Sequence, residues 1–292
     1  MPQLAVFPKG FMDELCVTHT LGLLEWFDLA ASLDVDGVEL YDGFFTSGEP
    51  AYFRGLKAAL DDRGLAMPML CFSPDFTIPD AAARLEQVDR TIRMLDACAI
   101  FGAVQCRVLS GQARPEVDRA TGLGWVVECL EALLPEAEAR GLKLAIENHY
   151  KDGYWQYREF AQRMDVFLEL LDRVPSPTLM VNYDPSNALV AGDDPIELLE
   201  AVKHRVVTMH ASDRYLVGGT VEELRQADGT LGYPSTLKHG IIGEGLNDYD
   251  RIFTILRGVG FDGWVSIEDG EDGMEPLRQS AKFLRAKMAD HF

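Results

Sequence analysis

Four residues able to bind protons or cations stand directly after short apolar runs. Glu147 follows Leu144-Ala145-Ile146, Asp184 follows Met180-Val181-Asn182-Tyr183, His210 follows Val207-Thr208-Met209, and Glu268 follows Trp264-Val265-Ser266-Ile267. Three carboxylates and an imidazole gathered at one place repel unless they are protonated or neutralised by a cation. A single divalent ion is the economical neutraliser. Three oxygen donors and one nitrogen suit Mn2+, Mg2+ or Co2+ with coordination positions left open, whereas a structural zinc site prefers thiolates.

Whether the four meet depends on the elements that carry them. Runs rich in Val, Ile and Leu recur at Leu4–Phe7, Val35–Tyr41, Leu65–Ser73, Val104–Leu109, Leu142–Ile146, Leu179–Tyr183, Val206–Met209 and Trp264–Ile267. Their continuous apolar character predicts strands covered on both faces, as in a parallel sheet. Between them Leu85, Val88, Ile92 and Leu95, then Val127, Leu130, Leu134 and Ala137, follow helical spacing. Gly64, Gly102, Gly141 and Gly260 stand where a helix ends in a left-handed residue shortly before the next strand. Eight strands alternating with helices predict an α/β fold, a single (β/α)8 TIM barrel over residues 1–292. The alternative, an open doubly wound sheet, lacks its glycine-rich phosphate fingerprint, since Gly243-Glu244-Gly245 follows no strong strand. In the barrel the four polar residues belong to strands five to eight, whose C-terminal ends share one quadrant of the mouth. The wide gap before the last strand predicts an insertion on the active face at about 214–245, with a short helix near Val221–Ala227, and Pro276–Met288 reads as the closing helix.

Composition narrows the partners. The 292 residues carry 47 acidic and 27 basic side chains, a net charge of −20, which repels a phosphate backbone or an anionic membrane surface. The longest run without a charge is the eleven residues from Gly64 to Pro74, short of the ~20 needed to span a bilayer. Neither nucleic acid nor membrane is an expected partner. The start lacks the basic and apolar segments of a secretory signal, and the five cysteines form no C-x-x-C pair, so a cytoplasmic protein with buried thiols is expected.

At these segments the chain resembles the xylose isomerase-like barrel superfamily, in particular its sugar isomerase/epimerase and inosose dehydratase group. The likeness runs through Asp36-Gly37-Val38-Glu39-Leu40, Ile146-Glu147-Asn148-His149, Asp184-Pro185-Ser186-Asn187, His210-Ala211-Ser212-Asp213, Gly243-Glu244-Gly245-Leu246-Asn247-Asp248-Tyr249 and Ile267-Glu268. In that family the matching Glu, Asp, His and Glu hold one divalent cation, often manganese, and the two glutamates also transfer protons. The resemblance implies those roles for Glu147, Asp184, His210 and Glu268, with Mn2+ first and Mg2+, Co2+ or Zn2+ as alternatives. Ketose 3-epimerases place a histidine three residues after the metal-binding Asp and an arginine six after the metal-binding His. Here those positions hold Asn187 and Leu216, with Arg214 as the nearest cation. The endonuclease IV branch needs extra histidines on the early strands, where this chain has Phe72-Ser73 and Arg107.

The chemistry implied is proton transfer through an enediolate of a neutral keto or aldo sugar or related polyol, an isomerisation or epimerisation. Loss of a β-substituent from the same enediolate is the alternative, which makes the enzyme a lyase acting on a keto-cyclitol or 3-keto-glycoside. His149 is a further candidate acid. Lys9, Glu39, Arg107, Asn187, Asp213, Arg214 and His239 are candidate substrate contacts. Phe44, Phe45, Tyr154, Trp155 and Tyr215 are candidate stacking surfaces, and the insertion carrying Lys238 and His239 is a candidate lid. A sugar or cyclitol is the expected partner, with a homodimer as the possible assembly.

Overall fold

The protein is described by a computed structural model that covers residues 1–226 and 236–292. Its strands are β1 (Gln3–Val6), β2 (Gly37–Val38), β3 (Leu40–Tyr41), β4 (Met69–Cys71), β5 (Gln105–Val108), β6 (Lys143–Glu147), β7 (Leu179–Tyr183), β8 (Val206–Ala211), β9 (Asp213–Leu216), β10 (Leu237–Gly240) and β11 (Trp264–Ile267). All but β9 and β10 form one parallel sheet, ordered β2-β1-β11-β8-β7-β6-β5-β4-β3. Its two outer members, β2 and β3, are halves of one run interrupted only at Glu39. Gly37 and Val38 pair with β1 while Leu40 and Tyr41 pair with β4, so the sheet closes on itself. Counted as one, the two halves give the eight positions of a TIM barrel.

Helices cover the outside. Two of the longest, Ala81–Phe101 and Arg119–Ala139, start at Asp80 and Asp118, whose carboxylates accept from the backbone N–H three residues on. Each such cap contributes about 1 kcal/mol. Gly64, Gly102, Gly141 and Gly260 have φ between 68° and 74°, the left-handed ends read from the sequence. The closing helix runs longer than expected, Met274–His291.

Two expectations shift in detail. The run Leu65–Ser73 yields only the short β4, because Pro68 has no N–H to give the ladder. The helical stripes are rotated as well. Leu85 is 64% exposed, and on the next helix Val126, Leu130, Leu133 and Ala137 are buried while Val127 and Leu134 are half-buried.

After β8 the chain leaves the barrel at its C-terminal face. β9 and β10 pair antiparallel there, setting His239 opposite Arg214, and a short helix spans Val221–Gln226. Residues 227–235 of the expected insertion, including Ala227 and the central part of the candidate lid, lie outside the described residues. All five cysteines are free, and all but Cys16 are buried. Among the described residues no helix is long and apolar enough to cross a membrane.

Candidate metal centre and active site

Glu147 is the last residue of β6, His210 the penultimate residue of β8, and Asp184 and Glu268 stand one position past β7 and β11. All four are buried, and one ligand atom from each lies within 4.8 Å of the others. Donors around a single ion at about 2.1 Å lie up to about 4.2 Å apart, so the quartet is close to the spacing that one cation imposes.

Each of the four side chains is held from behind. Asp184 caps the helix Pro185–Ala191: its Oδ1 accepts from Ser186 N (2.7 Å), Asn187 N (3.0 Å) and Ser212 Oγ (2.7 Å). Asn148 locks the end of β7 beside β6, donating to the Asp184 carbonyl (2.6 Å) and accepting from its N–H (2.9 Å). The Asn187 amide donates to Asp184 Oδ2 (2.9 Å) and Glu147 Oε1 (3.2 Å). Arg107 Nε stands 3.2 Å from Glu147 Oε2, and Lys9 Nζ stands 3.2 Å from Glu268 Oε1.

His210 is decisive for what the cluster can hold. Its Nε2 lies 2.9 Å from Glu39 Oε2, with both side chains fully buried. A carboxylate there accepts the hydrogen bond of a protonated Nε2 and so favours the tautomer whose Nδ1 lone pair faces the cluster. Nδ1 faces Glu147 Oε1 at 3.2 Å and Glu268 Oε1 at 3.8 Å. A lone pair pressed against two carboxylates needs a positive charge between them, either a proton or a metal ion.

Without an ion, protons fill that role. Burial disfavours the imidazolium, yet Glu147, Glu268 and Glu39 together hold His210 well above its ordinary value. Burial, then Glu268 and Glu147, lift Asp184 to about 7. Burial works against ionised Glu147 and Glu268 too, but His210 and His149 hold the first below the usual carboxylate range, and Lys9 and His210 the second. The donor set and its orientation therefore fit a divalent cation.

A sequence profile of the xylose isomerase-like TIM barrel family matches residues 27–287. This chain belongs to that family. Curated relatives of this xylose isomerase-like barrel include a 3-oxo-isoapionate decarboxylase from Pectobacterium atrosepticum. It is 28% identical over 148 residues, which are 51% of this chain and 44% of that protein. Another is an inosose dehydratase from Geobacillus kaustophilus, 27% identical over 181 residues, 60% of this chain and 55% of that one. The matched stretch spans about half the length of these relatives, and both are enzymes. A solved L-ribulose 3-epimerase superposes with a TM-score of 0.77 at 13% identity, covering 100% of this chain and 96% of its own, and shows the shared fold.

Around the quartet of this xylose isomerase-like barrel, the candidate substrate contacts separate into two groups. Lys9, Arg107 and Asn187 touch the carboxylates of the quartet as described. His239 packs on Gly270, where an added Cβ would come 2.2 Å from its Nδ1. Burial and the nearby cations Arg214 and Lys9 push His239 down to about 3, so its ring is neutral. Arg214 is itself 4% exposed.

Glu39 and Asp213 are engaged otherwise. Glu39 faces His210 from behind. Asp213 Oδ2 accepts from Gly243 N (2.9 Å) and Gly245 N (3.0 Å), and its Oδ1 from Arg214 N (2.9 Å) and Asn247 N (3.2 Å), so it pins the 243–247 turn to β9.

His149 stands 3.4 Å from Glu159 Oε2, and Glu159 Oε1 accepts from Ser110 N and Oγ. Burial lowers His149, but Glu147 and Glu159 outweigh it and raise the group above its ordinary value. Glu159 escapes sequence reasoning because it lies in a loop with no periodicity. Asn148 and Ser212 carried a signal, each sitting one or two residues from a member of the quartet.

Proposed function

We propose that this protein is a divalent-metal-dependent isomerase or epimerase of a neutral sugar or related polyol. The observation that carries this reading is the convergence of Glu147, Asp184, His210 and Glu268 within 4.8 Å, with Glu39 turning His210 Nδ1 inward. A cation held by these four, manganese first among the candidates, supplies Lewis-acid polarisation of a substrate carbonyl and so acidifies the neighbouring C–H.

The chain's own residues then divide the work. Glu268 removes the carbon proton, and Lys9, 3.2 Å away, sets the polarity around its carboxylate. Glu147, reaching in from β6, returns a proton from another side. Arg107 and Asn187 fix its orientation, and with Arg214 and His239 they offer hydrogen bonds to hydroxyls. A neutral His239 can accept as well as donate. The buried β6 end and the β9–β10 ribbon limit water at the reacting carbon.

The test is incubation of a panel of keto sugars in D2O with cation-stripped protein and with Mn2+ restored. Deuterium should enter beside the carbonyl only when the ion is present, and Glu268→Gln should abolish it. Absence of cation-dependent exchange across the panel overturns the reading.

A second reading, a lyase, is favoured by the dehydratase name of one relative and by His149, a buried imidazole beside Glu147 that can protonate a leaving oxygen. It predicts a product lighter by water or an aglycone, whereas isomerisation leaves the mass unchanged.

A further inference from the structure

We propose that the mouth of the barrel carries a second subsite for an uncharged aromatic or apolar group bonded to the sugar, so that the substrate is a substituted sugar such as an aryl glycoside. This rests on the sugar-carbonyl reading above and names the substrate class for the same site. A cavity of about 520 Å3 opens beside Lys9 and His239. Lys9 is also the residue 3.2 Å from Glu268, so a ring at the carboxylates and a group in the cavity fall within reach of one bonded molecule. A volume in the range of about 300–1,000 Å3 takes ligands larger than a single sugar ring.

The walls suit an apolar group. Met12, Val17, Tyr150 and Tyr154 line the cavity, and Val17 and Tyr154 keep 59% and 64% of their surface exposed. Single exposed apolar side chains are ordinary, but here they share the wall of one cavity with Met12 and Tyr150 at the edge of a polar site, which makes a contiguous apolar surface. The Tyr154 backbone is held for the task. Its N–H donates to Asp152 Oδ1 (2.9 Å), while Asp152 Oδ2 accepts from Tyr41 OH (3.2 Å). A fixed backbone lowers the ordering cost of stacking a ring on the phenol. The charges along the cavity are mixed, Lys9 and Lys151 against Asp13 and Asp152, which gives no net field to grip an ionised group.

The test uses unreactive ligands, which separates the subsite from the chemistry. Binding of 4-nitrophenyl and methyl glycosides, as α and β anomers of glucose and galactose, is measured by calorimetry on the full chain with Mn2+. At least one aryl glycoside should bind about tenfold or more tightly than its methyl counterpart, the change one stacked ring provides. Tyr154→Ala and, separately, Val17→Ser should bring that ratio toward one. Both positions are exposed, so the folded state tolerates either change. Equal binding of aryl and methyl glycosides, no binding of any aryl glycoside, or an aryl preference that survives both substitutions overturns the subsite. The sugar-carbonyl reading still stands in those cases if unsubstituted keto sugars exchange deuterium.

Discussion

The sharpest consequence of the geometry concerns a residue that touches no substrate. Glu39 Oε2 lies 2.9 Å from His210 Nε2 inside a fully buried pair, with Cys71 Sγ 3.9 Å from the same oxygen. If Glu39 selects the tautomer that aims Nδ1 at the cation, removing it must weaken cation binding without altering any ligand. Loss of such a partner costs 10–100-fold in metal affinity, about 1.4–2.7 kcal/mol. Two substitutions bracket the range. Glu39→Gln keeps an oxygen that can accept the Nε2 proton and loses only the charge, so about tenfold is expected. Glu39→Leu removes the acceptor, which either leaves a buried N–H unpaired or lets the proton move to Nδ1 and block the donor, so about a hundredfold is expected. Calorimetric titration with Mn2+ against a competing chelator measures both. Melting of the cation-free proteins is the control, and there Glu39→Gln should cost little because it removes one of several crowded buried carboxylates. Wild-type Mn2+ affinity in Glu39→Leu refutes the reasoning, and so does an equal loss in both variants.

Stripping the cation should lower the melting temperature by roughly 5 °C relative to protein at a hundredfold excess over its dissociation constant, since that excess is worth about 2.7 kcal/mol. A melt unchanged by chelator and by added Mn2+ contradicts the metal centre. Asp213→Ala strips four backbone amides of their acceptor and should destabilise by about 3 kcal/mol or more in denaturant titration. Gly245→Ala should act in the same direction, because its Cβ would lie 2.2 Å from Asp213 Oδ1. Burial, opposed by Arg90, raises Asp42 to about 6, so the folded state prefers the protonated acid. The stability this group contributes is complete below its unfolded pKa of about 3.9 and is lost as pH rises through about 6. Asp42→Asn should therefore raise the melting temperature at pH 7.5, by at most about 3 kcal/mol in free energy, and change little at pH 4. An equal effect at both pH values removes that explanation.

The quartet was legible in the sequence because the same pattern that makes a buried parallel strand also marks its end. Glu147, Asp184, His210 and Glu268 each break an apolar run at its C-terminal side, and in a closed barrel every such break opens on one face. What the pattern does not encode is which distant group a buried polar residue meets. Glu39 and Asp213 also sit at strand ends, yet the first faces an imidazole 171 residues away and the second serves amides about thirty residues downstream. Periodicity sets which side of a strand a residue occupies, whereas its partner follows from barrel closure and loop path, and both are long-range. Glu39 joins the two levels. It occupies the gap between β2 and β3, the only break in that run, where one half of the strand pairs with β1 and the other with β4. At this closing seam the Glu39 N–H still donates to Val6 O of β1 (2.9 Å), while its carboxylate meets His210. The seam that completes the barrel therefore also supplies the group that orients the histidine donor. A substitution at position 39 is accordingly expected to change cation affinity through the contact made at barrel closure, a coupling that no local reading of the run Val35–Tyr41 could reveal.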